Sequence, residues 1–473
     1  MTRSWGLALC AWITSTGFAC AADPPPDTAQ ARYEAQLHRL ESHPPLTGPS
    51  ARDTAFVNVH VLPMTTSRVL EDQVVLVSGG RIAGLGSVKE TQVPPGYRII
   101  DGEGGYLIPG LADMHVHSAG NPLTLALFLA NGVTTVREMS GRPAYLDWAR
   151  RVAAGEWLGP SIHTTGPILG GRRADAETVV IANAAEAVRE VNRQYDAGFR
   201  ILKPYTFLPA DAYRAAIAQA KARGMYVVGH IPYSVGTAGV LAAGQDGIAH
   251  VHSFHPDFFE HFDPKRVFDR YLIDPDFIPR MVPRIRSAGV TVTTTLIVNQ
   301  ALADSQDIDR YTARPRQAYE LSAGTALMRS GQWDYNRLWP HDYLMNTYLP
   351  YLYQLIRALH QAGVPLVAGT DSGVPGLIHG FSTHEELALL VRAGLSPYDA
   401  LRAATVNAAA VSGDQARWGT LEVGKRADVV WLAANPLEDI GHVDGMRGPM
   451  DAGRWLDRQT IDRLLGQVRE AYQ

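Results

Sequence analysis

From Gly110 onward the chain alternates short apolar runs with amphipathic segments, and it does so eight times. That rhythm constrains the fold more than any other feature. Repeated strand and helix units bury their apolar strands by lying side by side in a parallel sheet, with the helices outside. The runs at 111–115, 133–136, 162–165, 201–203, 226–230, 247–250, 291–295 and 365–369 read as the strands, with helical patterns such as 209–223 and 237–243 between them. Eight units are what a closed (β/α)8 barrel requires. The expectation is an α/β chain whose main body, 109–415, is a TIM-like barrel.

The flanks read differently. Ala29, Tyr33, Leu37 and Leu40 fall on one helical face, which Pro44-Pro45 ends. Residues 56–62 read as a strand, 73–77 and 81–85 as a hairpin about Ser78-Gly79-Gly80, and Ile99 and Ile100 as part of another strand. Strand character returns at 419–432. These segments pair most simply with each other, as a small β-sandwich domain made from both chain ends. Its first part is 53–108 and its second is 416–473 with a C-terminal tail; 23–52 is an N-terminal extension. Within the barrel, 299–360 is longer than one crossover helix needs and is rich in aromatics, including Trp333 and Trp339. Connections after barrel strands lie over the active-site face. This helical insertion therefore reads equally as a lid or as extra buried helices.

Residues 1–22 read as a signal peptide: Arg3 is the basic start, 5–19 is apolar and short, and Ala19-Cys20-Ala21 is a small-x-small cleavage pattern. The expectation is export, to the periplasm or the medium. Both cysteines, Cys10 and Cys20, fall in that segment. A metal in the mature chain would then be held by histidines and carboxylates, not thiolates. No later stretch is apolar enough to span a membrane. A net charge of −4 gives no reason to expect nucleic acid.

Potential metal ligands gather at the strand ends. His115-Val116-His117 ends the first strand, and residues two apart share a strand face. Lys203 ends the fourth strand, His230 the fifth and His250 the sixth, and Asp371 follows the eighth. Barrel enzymes draw their catalytic groups from the C-terminal ends of several strands.

The motifs 108–117 (Ile-Pro-Gly-Leu-Ala-Asp-Met-His-Val-His), 368–371 (Ala-Gly-Thr-Asp) and 419–428 (Gly-Thr-Leu-Glu-Val-Gly-Lys-Arg-Ala-Asp) resemble those of the amidohydrolase superfamily, in family order. The branch most similar contains imidazolonepropionase-like proteins and binuclear Xaa-Pro dipeptidases. The run 198–203 (Gly-Phe-Arg-Ile-Leu-Lys) resembles the strand that carries a carboxylated lysine in binuclear members. The resemblance implies two divalent metal ions, with zinc suited to these donors. His115, His117 and Asp371 would bind the more buried ion and His230 and His250 the more exposed one. Carboxylated Lys203 would bridge them, and Asp371 would also be the catalytic base. With Lys203 an ordinary lysine, the site would be mononuclear, as in the deaminase-like branch.

His250 competes with His252, which shares its face if the strand continues. The resemblance favours His250 as ligand and leaves His252 to contact substrate. Ala249 stands where the family pattern has an acid. Tyr205 is a further substrate-contact candidate. Arg137 reads as a partner for Glu138 or for a substrate carboxylate, His163 as structural, and His384 as solvated or as support for a ligand. The expected substrate is a small molecule or short peptide, cleaved at an amide. A cyclic amide or lactone is the alternative on the same metals, with a deaminase or a non-catalytic metal- or solute-binding protein behind it. A homo-oligomer is compatible with the sequence.

Overall fold

The computed structural model describes residues 28–172, 177–263, 270–330 and 339–473. Residues 1–22, read above as a signal peptide, and Trp333 lie outside them. The first described element is a helix, Ala29–Glu41, capped by the Thr28 side chain, which accepts from the Ala31 amide at 3.1 Å. Its buried stripe is Ala29, Tyr33, Leu37 and Leu40, at helical spacing.

Strands β1 (Thr54–Val61), β2 (Leu70–Ser78), β3 (Arg81–Ser87) and β4 (Arg98–Pro109) follow. β2 and β3 form an antiparallel hairpin, and Gly79 and Gly80 at its turn have φ of 56° and 74°, which suits glycine. Next come β5 (Leu111–Val116), β6 (Val133–Glu138) and β7 (Ser161–Thr164), then a small ribbon of β8 (Ile168–Gly170) and β9 (Thr178–Val180). The central strands continue with β10 (Ile201–Leu202), β11 (Tyr226–Gly229), β12 (Gly247–Ala249), β13 (Thr291–Thr293) and β14 (Leu366–Val367). β15 (Val429–Leu432), β16 (Met446–Asp451) and β17 (Arg454–Trp455) precede a C-terminal helix, Arg458–Tyr472.

The flanking strands form one seven-stranded sheet in the order β17-β16-β15-β4-β1-β2-β3. The reason is the length of β4, whose 12 residues pair with β1 on one side and with β15 on the other. Both chain ends thus enter a single hydrogen-bonded sheet, where the sequence pattern suggested the two sheets of a sandwich. Phe56, Val75, Leu107, Val429 and Trp455 belong to its apolar core.

The central strands form two parallel arcs, β5-β6-β7 and β10-β11-β12-β13-β14. Isolated parallel bridges join Thr165 to Ile201 and Val116 to Ser372 at the two seams, where regular ladders stop. β5 and β6 are buried along their whole length, which accounts for strands without polar alternation. The insertion is helical over Leu296–Asp304, Ser322–Arg329 and Leu349–Gln361. Trp339, Tyr343, Tyr348 and Tyr351 in it are buried, and the Trp339 and Tyr348 rings lie 4.3 Å apart. For these aromatics the buried-helix reading holds. No helix among the described residues is long and apolar enough to cross a membrane.

Candidate metal centre

The ends of β5 and β14 approach each other because glycines let them. A Cβ on Gly369 would come within 2.9 Å of His115 Cβ, and one on Gly373 within 2.0 Å of the His117 carbonyl oxygen. The Asp371 amide donates to the His115 carbonyl at 2.7 Å, and the His117 amide to the Ser372 carbonyl at 2.8 Å. These bonds set the Asp371 carboxylate against both imidazoles. Its Oδ1 lies 3.1 Å from His115 Nε2 and 3.0 Å from His117 Nε2. The three donor atoms all fall within 4.8 Å of one another.

This cluster has the properties of a cation site. His115 and Asp371 are fully buried. Burial pushes the His115 ring down to about 3, so it is neutral and offers a lone pair. Burial opposes ionisation of Asp371, but the surrounding imidazoles of His115 and His250 hold its carboxyl well below the ordinary value. Asp371 Oδ2, although buried, has no hydrogen-bond partner among the described residues. A buried carboxylate oxygen without a donor is costly, and a cation or a substrate proton would relieve it. The donor set fits a divalent metal.

The other expected ligands stand beside it. The His250 ring centroid lies 4.2 Å from that of His115 and 4.8 Å from that of His230. Burial pushes the His230 and His250 rings well down. Lys203 is buried, and its charge adds to burial in depressing both His115 and His230. Tyr205 packs its ring 4.3 Å from His230, and His252 stacks on His250 at 4.6 Å. The eight residues read from the sequence as ligands or substrate contacts therefore meet at one end of the central strands.

Several supporting residues escaped the sequence reading. Thr206 Oγ1 lies 2.8 Å from His230 Nδ1, and Thr295 Oγ1 lies 2.9 Å from His250 Nδ1. These contacts engage Nδ1 of each ring and fix its orientation. The Asn299 amide nitrogen lies 3.2 Å from His252 Nδ1. Asp113 accepts from the Thr370 hydroxyl at 2.6 Å and the Thr370 amide at 3.0 Å, tying β5 to the segment before Asp371. Burial raises its carboxyl to about 7. Glu138 accepts from the Ser118 amide at 2.8 Å, and its Oε1 lies 3.9 Å from His117 Nδ1. Positive φ angles at His250 (74°), Thr295 (44°) and Asp371 (60°) mark three strand ends where the backbone leaves its ordinary range. Thr295 ends the seventh strand run, where other runs end in ligands, but a threonine there is ordinary and did not mark it.

Other expectations are corrected. Arg137 turns into the interior, donating to the Met114 carbonyl at 2.8 Å and to Thr293 Oγ1 at 3.0 Å. Adjacent strand residues face opposite ways, so it and Glu138 do not meet. His384 is buried, with Nδ1 2.8 Å from Asp444 and Nε2 2.8 Å from the Asn131 carbonyl, so it is a structural tie and not a solvated group. Ala249 packs with Met139 and Val228 in an apolar cluster, where an acid would be unpaired.

The sequence profile of the amidohydrolase family matches residues 106–450. An imidazolonepropionase from Pseudomonas syringae pv. tomato is 25% identical over 446 residues, covering 87% of this chain and 98% of that one. An adenine deaminase from Staphylothermus marinus is 34% identical over 97 residues, 19% of this chain, and this match spans only 16% of that protein. The solved structure of a bottromycin amidohydrolase is similar at a TM-score of 0.73 and 25% identity, covering 95% of this chain and 94% of that one. With the profile matching well over half its length, this chain belongs to the amidohydrolase family.

Proposed function

We propose that this protein is a metal-dependent hydrolase that cleaves the carbon–nitrogen bond of an amide or peptide-like substrate. The convergence of His115, His117 and Asp371 donor atoms within 4.8 Å carries the reading. These three would hold one divalent ion, with zinc best suited to imidazole and carboxylate donors. His230 and His250 would hold a second. A neutral lysine amine adds CO2 with loss of a proton. Carboxylated Lys203 would then give each ion one oxygen. Bound there, the ions would polarise the scissile carbonyl and acidify water.

The chain's own residues supply the proton chemistry. Asp371 Oδ1 faces the two imidazoles, and Oδ2 has no hydrogen-bond partner among the described residues. Oδ2 would therefore take the proton that the attacking water loses and pass it to the leaving amine. With Nδ1 facing the Asn299 amide, His252 would present Nε2–H to a substrate oxygen, and Tyr205 would close the other side. We read the two strand arcs as one (β/α)8 barrel, with 109–415 as the catalytic domain, and residues 1–22 as an export signal.

Purified, metal-loaded protein should be assayed against dipeptides, N-acyl amino acids and lactones. Release of amine from the first or second class supports the reading. Lactone opening with no amide cleaved would replace it.

A further inference from the structure

A small cavity opens beside His117, between the loop after β5, the 373–379 loop and the start of the Leu321 segment of the insertion. Its volume is about 30 Å3, more than the roughly 10–15 Å3 that one water needs. Glu320 lines it. The Gly376 amide donates to Glu320 Oε2 at 2.5 Å, and the Leu321 amide donates to Oε1 at 2.9 Å. Among the described residues this carboxylate pairs with no cation. Arg314 acts on it from a distance but is committed elsewhere, to Glu385 at 3.4 Å and to the Gly376 carbonyl at 3.2 Å. Burial raises the Glu320 carboxyl to about 7. The Tyr472 hydroxyl lines the same cavity and accepts from the Asn121 amide nitrogen at 2.7 Å. Burial raises that phenol, and the Glu320 charge adds to the effect, so the two groups are close.

A half-buried carboxylate without a counter-charge carries a cost, and a cation entering beside it recovers part of that cost. The remaining walls are mixed: Leu37 and Leu377 are apolar, while His117, Ser118, Asn121 and Thr124 are polar. The cavity thus offers a carboxylate without a cationic partner among the described residues, with a hydroxyl beside it.

We infer that this cavity is a subsite for a primary ammonium group, with Glu320 as its counter-ion, so that the substrate carries a free amine near its scissile carbonyl. The inference rests on the amide-hydrolase reading. It selects dipeptide-like substrates over N-acyl amino acids, because an acylated nitrogen brings no charge.

The test compares the metal-loaded enzyme and Glu320→Gln on a dipeptide and on its N-acetyl form. Calorimetric binding of glycinamide and N-acetylglycinamide is measured in parallel. The wild type should favour the free amine in both measurements, by about ten-fold or more. Glu320→Gln should lose about ten-fold more kcat/KM on the dipeptide than on the acetylated substrate, the scale of a buried charge partner. Equal losses on both substrates would show that Glu320 only pins Gly376, and would overturn the subsite. So would wild-type binding of glycinamide no tighter than of its acetylated form, a comparison that needs no variant. Glycinamide binding that depends on Glu320, with no amide turned over, would uphold the subsite and sink the hydrolase reading.

Discussion

Asp371 carries the sharpest expectation at the scale of single residues. Asparagine nearly matches its size and keeps one oxygen for a metal, but it cannot accept a proton. Asp371→Asn should keep its metal and lose on the order of 10²-fold in kcat, the usual scale for a general base. Metal content and kinetics on one preparation check this; near-wild-type turnover with metal bound would rule Asp371 out as the base. Thr295 carries a second expectation. Its hydroxyl lies 2.9 Å from His250 Nδ1, so Thr295→Val should weaken metal binding by roughly 10–100-fold, the range for lost ligand-orienting partners. Thr295→Ser should restore it, and metal titration separates this from a packing defect, which serine would not repair. The ligand candidates were legible because histidine, lysine and aspartate are uncommon at successive strand ends. Thr206 and Thr295 were not, because threonine is ordinary in strands and its partner is known only once distant strands meet.

Among the elements, the insertion shows where pattern reading stops. Its length and aromatic content were plain in the sequence, but the direction in which the rings face depends on the segment they pack against. That segment is the stretch after β12: Trp339 meets His255 at 5.7 Å and Phe259 at 6.2 Å between ring centroids. His255 in turn stacks 5.5 Å from His252, so this buried aromatic mass backs the site. Trp339→Ala should therefore cost about 3–5 kcal/mol of stability, the scale for emptying a buried tryptophan position. A thermal or denaturant melt reads that directly. A changed substrate preference at unchanged stability would instead make Trp339 part of a lid. The helix Ala29–Glu41 also gains a role here. Gln36 donates to Ser322 Oγ at 3.2 Å and to the Tyr472 carbonyl at 2.8 Å, joining the first helix, the insertion and the last helix. Its apolar stripe was legible; the buried glutamine that ties three segments was not, since glutamine at a helical position is usually exposed.

Taken whole, the molecule places a sheet made from both chain ends against two arcs of parallel strands, and gathers its titratable groups at one end of the arcs. The strand rhythm disclosed the arcs, since each buried strand is a short apolar run. It could not disclose one sheet in place of two, because alternation along a strand does not say which neighbour it takes. The central claim is that the cluster at the strand ends is a metal centre that hydrolyses amides. The direct test is to strip the protein with a chelator, titrate zinc back, and measure bound metal and amide turnover on the same samples. The account predicts no turnover in the stripped protein, and a rise to a plateau near roughly two equivalents of metal, as two sets of ligands require. Lys203→Ala should plateau near one equivalent with little turnover. Amide hydrolysis that persists at the wild-type rate in the stripped protein would contradict it.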